Sequence, residues 1–236
     1  MKYSIIVPCY NESGNITRLV GCLDQMPSSL DIEFILVENG SKDDTRQFLQ
    51  KECSGRDRFK IVYVRENKGY GYGLICGLKD ATGDYVGWLH ADLQVSPEDM
   101  LRFITYAEKN GKDIRLFLKG DRKNRSLMEC FFTGGMSVYA TLMLSCYLYD
   151  IGALPVLFHR SLLTSTLDMA PYDFSIETYM YYMAKKKKML IKRFDVSMHL
   201  REKGASSWNG GIMAKLRQSK IIAKDIIKIK RGMNIR

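Results

Sequence analysis

The feature that most constrains the fold is an alternation of short apolar segments and amphipathic segments through the first half of the chain. Apolar runs without regular polar alternation lie at 3–9, 34–38, 60–66 and 84–90. Such runs are typical of strands buried on both faces of a sheet. The segments between them, such as 15–26, place apolar side chains at helical spacing. This alternation predicts an α/β fold with a mostly parallel central sheet and helices on both faces.

Polar side chains follow each of the four predicted strands. These endings are Tyr10-Asn11-Glu12, Glu38-Asn39-Gly40-Ser41, Asn67-Lys68-Gly69 and His90-Ala91-Asp92. Turns are polar in any protein, because Asn, Asp, Ser and Gly favour them. Four consecutive polar endings are more than turn chemistry requires, however, and ligands of parallel sheets bind beyond the carboxyl ends of the strands. We therefore predict one shared binding site at this edge.

The fourth ending carries a candidate metal site. His90, Asp92 and Gln94 alternate, so in an extended chain their side chains would point to one face. Carboxylate and amide oxygens suit Mg²⁺ or Mn²⁺, and an imidazole moves the preference toward Mn²⁺. The alternative is that His90 is a hydrogen-bonded core residue and Asp92 caps the next helix. Ser96 before Pro97 already provides a cap, which leaves Asp92 for another role.

The second half of the chain is less regular. It predicts a strand at 114–119, a helix at 127–149, a strand leading into a helix at 151–163, a helix at 175–187 and a strand at 189–200. The chain has no internal repeat and no low-complexity linker. We therefore predict one domain over residues 1–210, followed by a basic amphipathic helical tail over 211–236.

The glycine-rich segment NKGYGYGLICGL at 67–78 raises the possibility of phosphate binding. It lacks the lysine and serine or threonine that end a P-loop, and it does not follow the first strand as a dinucleotide fingerprint does. An acid about 20 residues further on, Asp92, keeps an NAD-type oxidoreductase open as an alternative.

Composition limits the partners and the compartment. The net charge of +10 calls for an anionic partner, such as a nucleotide, a nucleic acid or a membrane surface. Six cysteines without a CxxC pair and three scattered histidines do not predict a zinc site, and they favour a reducing cytoplasm. The sequence contains no run of about 18 uncharged apolar residues, the length that a membrane span requires. The nearest candidate, 138–158, is interrupted by Asp150 and Pro155.

The tail carries an apolar stripe flanked by basic residues. Its apolar members are Ile212, Met213, Leu216, Ile222, Ile226 and Ile229. A helix of this kind can lie in the interface of an anionic membrane. The alternative is that it packs on the domain or on a second subunit. The tail has no aromatic side chains for base stacking, so nucleic acid is not a predicted partner.

Several motifs together resemble the family 2 glycosyltransferases of the GT-A fold. They are VPCYNE at 7–12, VENGSKDDT at 37–45 and ENKGYGYGLICGLKDATGDYVGWLHADLQVSPEDM at 66–100. The chain is most similar to the branch of polyprenyl-phosphate sugar transferases, which has a DADLQ-like stretch where this chain has His90-Ala91-Asp92-Leu93-Gln94. GDR at 120–122, DIGALPVLFHR at 150–160, DFSIETYMYYMAKKKK at 173–188 and REKGASSW at 201–208 extend the resemblance to about residues 3–209.

The resemblance implies a metal-assisted, inverting transfer from a sugar nucleotide to a polyprenyl phosphate or another lipid-linked or cell-surface glycan acceptor, at the inner face of the cell membrane. The residues implied at the nucleotide are Pro8, Tyr10, Asn11, Glu12, Glu38, Asn39, Asp43, Lys68, Gly69 and Ala91. His90, Asp92 and Gln94 would hold Mn²⁺ or Mg²⁺. Arg122 would meet phosphate, and Asp150 and Glu177 would be acceptor-side carboxylates. His90 and Asn39 replace acids of the family pattern, so a GT-A-like nucleotide-binding protein without catalysis is the alternative.

Overall fold

The computed structural model describes residues 1–112, 115–124, 127–197 and 211–231. The segment REKGASSW at 201–208, which extends the family resemblance, lies outside these ranges. Strands lie at Lys2–Cys9 (β1), Asp31–Glu38 (β2), Phe59–Tyr63 (β3), Tyr85–Trp88 (β4), Leu116–Lys123 (β5), Val156–His159 (β6) and Leu190–Ser197 (β7). Helices lie at Ser13–Asp24 (α1), Thr45–Cys53 (α2), Tyr70–Asp80 (α3), Pro97–Asn110 (α4), Leu127–Leu144 (α5), Ile176–Lys186 (α6) and Gly211–Lys230 (α7).

The strands form one sheet in the order β3-β2-β1-β4-β6-β5-β7. The first four strands of the chain pair in parallel, and β5 pairs in parallel with β7. Strand β6 is antiparallel to both of its neighbours, β4 and β5. The prediction of a mostly parallel α/β sheet is therefore confirmed. Because β1 to β4 run the same way, their carboxyl ends meet at one edge.

Each face of the sheet buries its own apolar layer. Successive residues of β1 point to opposite faces: Ile5 and Val7 pack with α1, α2 and α4, whereas Ile6 packs with α3, α5 and α6. These side chains have no exposed surface, and burying each one contributes about 1.5–3 kcal/mol. Helices therefore cover both faces, as the sequence predicted.

Helix α7 uses part of its apolar stripe inside the protein. Ile222, Ile226 and Ile229 are buried in the same cluster as residues of α5 and α6. The expectation that these three side chains face a membrane is therefore wrong, because packing against the domain removes them from solvent. Met213 and Leu216 of the same helix remain exposed.

Helix α5 differs from the sequence-based expectation that no segment could span a membrane. Among the helices that the structure describes, Leu127–Leu144 is the one that is long and apolar enough to do so, and only 17% of it is buried. The apolar helix lies further toward the N-terminus than 138–158, the nearest candidate from the sequence. It stops at Leu144, before Asp150 and Pro155. Exposed apolar patches of this kind mark interaction sites for proteins or membranes.

Candidate active site

The loops after β1 and β2 interlock at the carboxyl edge of the sheet. The backbone N–H of Asn11 donates to Ser41 Oγ (3.2 Å), and Asn11 Oδ1 accepts from the Lys42 N–H (2.8 Å). The Ser13 N–H donates to Asp43 Oδ2 (3.1 Å). Partial burial acts to raise the pKa of Asp43, but hydrogen bonds from Thr45 and Ser13 outweigh it and hold that pKa below its ordinary value. Asn11 and Asp43 thus fix two loops while remaining at the site.

The two glutamates of these loops are also tied to backbone and side-chain donors. Glu38 Oε1 accepts from the Ser41 N–H (2.6 Å), which closes the turn after β2. Glu12 Oε2 accepts from Asn15 Nδ2 (2.5 Å) in the first turn of α1. Tyr10, directly after β1, keeps 40% of its surface exposed. The first two strand endings therefore form a rigid rim with one exposed aromatic ring.

Asn39 lies buried behind this rim. Its backbone N–H donates to Cys9 O (2.9 Å), and its Nδ2 donates to Gly69 O (3.2 Å). Its Oδ1 is buried and has no hydrogen-bond partner among the residues that the structure describes. Leaving such an acceptor unsatisfied costs about 1–3 kcal/mol. This oxygen is therefore a buried acceptor that the described residues leave unsatisfied.

The region after β4 departs from the alternation that the sequence predicted. The strand ends at Trp88, residues 91–92 form a turn, and Leu93 has a positive φ of 57°. Within this turn the Gln94 N–H donates to Asp92 Oδ1 (3.1 Å). The statement that His90, Asp92 and Gln94 alternate along an extended chain is thus wrong, because a local carboxylate–backbone bond folds the chain there. The predicted cap is correct: Ser96 Oγ accepts from the Glu98 N–H (3.1 Å).

A line of buried polar groups connects His90 to α6. His90 Nε2 lies 3.1 Å from the Tyr70 hydroxyl, which donates to Glu177 Oε1 (3.0 Å). Trp88 Nε1 donates to the same Glu177 oxygen (2.7 Å). Burial raises the pKa of Glu177, and the neighbouring Lys119 opposes that shift. Sequence reasoning missed Tyr70 and Trp88, because nothing in the spacing of an apolar strand and a glycine-rich turn indicates that their polar atoms converge.

Glu177 and Asp150 were predicted as acceptor-side carboxylates, and the structure buries both. Glu177 lies behind Tyr70 and Trp88, as described above. Asp150 has no exposed side-chain surface and accepts from the backbone N–H (3.1 Å) and Nε (3.0 Å) of Arg122, with a further contact from Arg122 Nη2. Arg193 Nη2, which sequence reasoning missed, lies 3.9 Å from Asp150. Both carboxylates are therefore engaged by neighbouring protein groups, and their role on the acceptor side stays a prediction.

The glycine-rich segment allows a close approach between two stretches of backbone. A Cβ at Gly69 would lie 2.2 Å from Tyr172 O, and one at Gly71 would lie 2.3 Å from Pro171 O. Gly69 also has a φ of 121°, which side chains with a Cβ rarely adopt. The Tyr72 N–H donates to Tyr172 O (3.0 Å), so protein backbone fills the space beside the start of α3. The NAD-type interpretation therefore has no support from this turn.

Apart from Glu177 in α6, the predicted residues fall into two groups. One group follows or ends the neighbouring strands β3, β2, β1 and β4: Pro8, Tyr10, Asn11, Glu12, Glu38, Asn39, Asp43, Lys68, Gly69, His90, Ala91, Asp92 and Gln94. Pro8, Asn39, Ala91 and Asp92 are buried within it. The other group, Arg122 with Asp150, lies on β5 and the segment before β6, two strand positions from β4. Among the described residues, no three His, Cys, Asp or Glu side chains cluster so as to hold a metal ion by themselves.

Comparison with solved structures supports the fold. Over 98% of this chain and 80% of the other, glucosyl-3-phosphoglycerate synthase from Mycobacterium tuberculosis in complex with Mn²⁺, UDP and glucosyl-3-phosphoglycerate superposes with a TM-score of 0.73 at 17% identity. The complex of the same protein with Mg²⁺ and UDP gives 0.71 at 15% identity, with the same coverage. At such identities the likeness shows the fold alone, which is of the GT-A type that the sequence motifs indicated.

Comparison with sequences shows the family. Dolichol-phosphate mannosyltransferase of Pyrococcus furiosus is 35% identical over 125 residues, 52% of this chain and 35% of that protein. Undecaprenyl-phosphate 4-deoxy-4-formamido-L-arabinose transferase of Pseudomonas fluorescens is 34% identical over 127 residues, 52% of this chain and 37% of that protein. The chain thus matches little more than a third of the length of these curated relatives. The family model "Glycosyl transferase family 2" matches residues 4–122, which contain the whole first group of residues described above, so the chain belongs to glycosyltransferase family 2.

Proposed function

We propose that this protein transfers a sugar from a nucleoside diphosphate sugar to a polyprenyl phosphate. The observation that carries the proposal is the convergence of three adjacent strand ends, β2, β1 and β4, on Asn39 and Asp92. Asn39 Oδ1 is a buried acceptor without a partner in the described chain, and the N–H of a nucleobase would satisfy it. Asp92 supplies a carboxylate at the next strand end, where the diphosphate would lie.

The residues present fit a divalent metal ion. A carboxylate and an imidazole, from Asp92 and His90, are ligands that Mn²⁺ accepts, and oxygens of the diphosphate and water would complete its coordination. When bound, the ion would neutralise the diphosphate charge that develops as the glycosyl bond breaks. Support comes from the solved neighbours of the same fold, which were crystallised with Mn²⁺ or Mg²⁺ and UDP. Gln94 remains a predicted ligand through its amide oxygen.

Burial of Asp150 and Glu177 supports a phosphate acceptor rather than a hydroxyl. A hydroxyl needs a general base within hydrogen-bond reach, and these two predicted bases are enclosed by other groups. A phosphate oxygen is already ionised and can attack the anomeric carbon opposite the nucleotide, so that the bond to the diphosphate oxygen breaks with inversion. Two curated relatives are named for dolichol-phosphate and undecaprenyl-phosphate reactions.

The surface of α5 supports contact with the membrane that would hold such an acceptor. Its most exposed side chains, Leu127 (91%), Phe131 (77%), Val138 (60%) and Leu142 (72%), recur at helical spacing on one face. The opposite face, with Ala140 and Leu144, packs inward. Exposed basic residues lie on the adjacent helix α7 and directly after its end: Arg217, Lys220, Lys224, Lys228 and Lys230, followed by Arg231.

We therefore assign peripheral membrane contact to the α5 stripe, defined as Leu127, Phe131, Val138 and Leu142, with α7 providing the charge. Each basic residue close to an anionic surface contributes about 1 kcal/mol, and the apolar stripe adds the burial that charge alone cannot supply. This replaces the sequence-based assignment of the membrane face to the α7 stripe, half of which is buried.

Nucleotide binding tests the donor side directly. Calorimetric titration of the protein with UDP, GDP, CDP and dTDP, with and without Mn²⁺, should give one nucleotide whose affinity depends on the metal. Asp92→Ala should abolish the metal-dependent part, whereas Asp57→Ala, an exposed acid in the turn before β3, should leave it unchanged. Binding that ignores both the metal and Asp92 would refute the donor site.

Transfer is tested with the matching sugar nucleotide and a short polyprenyl phosphate in detergent. We expect radiolabelled sugar to move into the organic phase with the polyprenyl phosphate and not with the corresponding polyprenol. Metal-dependent nucleotide binding without transfer to either lipid would instead support the nucleotide-binding protein without catalysis. Transfer to the polyprenol alone would refute the phosphate acceptor.

Membrane contact is tested by co-sedimentation with vesicles that contain anionic lipid. Phe131→Glu with Leu142→Glu should release the protein from vesicles. Gln47→Glu with Gln50→Glu adds the same charge at exposed positions of α2 and should not. If both double variants bind like the wild type, the α5 stripe is not the contact. A wild-type dimer that α5 substitutions dissociate would show that a second copy covers this face instead.

A further inference from the structure

We infer that Tyr70, oriented by Glu177 and Trp88, fixes the tautomer of His90, so that the neutral imidazole carries its proton on Nε2 and its lone pair on Nδ1. Tyr70 and Glu177 are then positioning residues for the site at the end of β4. The inference about the tautomer stands on the hydrogen-bond geometry alone, and only its consequence for metal binding rests on the proposed function.

The hydrogen bond between Trp88 and Glu177 has only one possible direction. An indole N–H only donates, so Glu177 Oε1, 2.7 Å from Trp88 Nε1, must act as an acceptor. An ionised Glu177 carries no proton on either oxygen, so its Oε1 can only accept, from Trp88 and from Tyr70 alike. Trp88 therefore sets the role of the Glu177 oxygen that also contacts Tyr70.

The hydrogen bond from Tyr70 to Glu177 in turn fixes the direction of the hydrogen bond between Tyr70 and His90. The Tyr70 hydroxyl has one proton, which it donates to Glu177 Oε1 at 3.0 Å. A tyrosine hydroxyl is protonated at neutral pH, so it keeps that proton. The hydroxyl oxygen can then only accept from His90 Nε2 at 3.1 Å, which requires a proton on Nε2. Three hydrogen bonds thus determine one tautomer.

Aromatic packing holds the rings of Tyr70 and His90 in place. The Tyr70 ring stacks on Phe174, with centroids 4.6 Å apart and an interplanar angle of 14°. It meets the His90 ring edge to face, at 5.2 Å and 86°. The two contacts restrict rotation of Tyr70 and His90. The residues around His90 therefore fix the orientation of its ring as well as its tautomer.

The consequence concerns which nitrogen can bind a metal ion. In this tautomer the lone pair belongs to Nδ1, and the Nε2–H is committed to Tyr70. Metal-bound histidines generally donate their second N–H to such a partner, and loss of the partner lowers metal affinity by about 10–100-fold. An aspartate at position 90 would need no such control, whereas an imidazole has two different nitrogens and requires it.

The tautomer can be measured without metal, nucleotide or activity. The chain has three histidines, His90, His159 and His199, so ¹⁵N-histidine spectra can be assigned with the single variant His90→Asn. We expect the neutral His90 ring to show only the Nε2–H form, with a slowly exchanging N–H proton. Tyr70→Phe should speed exchange of that proton and produce a tautomer mixture. Tyr72→Phe, two residues further along α3, is the matched control and should leave the spectrum unchanged.

A second variant separates hydrogen-bond direction from charge. In Glu177→Gln the indole N–H still requires an amide oxygen at the Oε1 position, so the tautomer should be retained although the charge is lost. A His90 ring protonated on Nδ1 in the wild type would overturn the inference. So would a Tyr70→Phe protein that folds and keeps the wild-type His90 spectrum and exchange rate.

Metal titration tests the consequence. In the presence of the bound nucleoside diphosphate, Tyr70→Phe should weaken Mn²⁺ binding by about 10–100-fold, and Tyr72→Phe should not. Equal Mn²⁺ affinity in all three proteins would refute the positioning role. If the wild type binds no Mn²⁺ with any nucleotide, the proposed function fails, while the spectra still decide the tautomer.

Discussion

The buried ion pair between β5 and the segment before β6 allows a quantitative prediction. Asp150 has no exposed side-chain surface and Arg122 has 17%, and they join through two guanidinium nitrogens and one backbone N–H. Asp150→Asn keeps the shape and the left-handed backbone that Asp150 adopts at a φ of 43°. It removes the charge that faces Arg122 and, at 3.9 Å, Arg193.

The expected cost follows from what remains after the substitution. Removing one partner of a buried pair costs about 3–5 kcal/mol, because the other charge stays buried. The lower end applies here, since asparagine still offers one acceptor oxygen and Asp121 lies 3.8 Å from Arg193. A loss of about 3 kcal/mol lowers the urea midpoint by about 1 M, if the slope is near 3 kcal/mol/M for a chain of this size.

Urea unfolding followed by circular dichroism provides the measurement, with Asp80→Asn as the control. Asp80 pairs with Lys60 (2.6 Å) on the surface, where the two side chains are 40% and 51% exposed. Such a pair contributes about 0–1 kcal/mol, so its midpoint should move by about 0.3 M at most. Equal shifts for the two variants would refute the reasoning. Strict additivity of Arg122→Gln and Asp150→Asn would refute it too, because paired groups should be coupled.

Two further predictions concern α3 and α7. Gly73→Ala should weaken nucleotide binding in calorimetry, because the new Cβ would lie 2.8 Å from the Asn39 amide. Gly77→Ala should lower the urea midpoint without weakening nucleotide binding, because its new Cβ crowds Ile6 and Val37 in the core. The reverse pattern would contradict this division. Burial and the hydrogen bond that protonated Asp225 donates to Asp173 raise the pKa of Asp225 to about 6, with Lys228 opposing. The protonated acid is therefore favoured in the folded state, and its stabilisation is lost as the pH rises through about 6. The urea midpoint should fall from pH 5 to pH 8 more in the wild type than in Asp225→Asn, and equal slopes would contradict this.

The sheet could be predicted because local patterns determine it. The uninterrupted apolar runs of β1, β2 and β4 and the helical spacing of α1 agree with their tertiary surroundings, so the predicted elements match the observed ones within a few residues. The antiparallel placement of β6 could not be read from the sequence. Its four residues look like any short buried strand, and direction depends on the route of the chain before it.

Those residues of the candidate site that directly follow a strand could be predicted from the sequence. Contacts between residues that are distant in the sequence could not. Asn39 and Asp92 lie at the edge of the sheet, as the polar endings indicated. The turn at 91–94 was not foreseen, because one bond from a carboxylate to the Gln94 N–H overrides strand geometry. Tyr70 and Glu177 are 107 positions apart, and their contact depends on how α3 and α6 pack across the sheet face.

The close approach of Gly69 and Gly71 to the backbone of residues 171–173 has a consequence for motion. Where two backbones touch without intervening side chains, neither can slide without opening a gap or breaking the bond from the Tyr72 N–H to Tyr172 O. The turn at 69–71 and the segment that leads into α6 are therefore expected to move as one body. In the proposed reaction, an acceptor that displaces α6 would then also shift the turn proposed to border the nucleotide, without any domain closure.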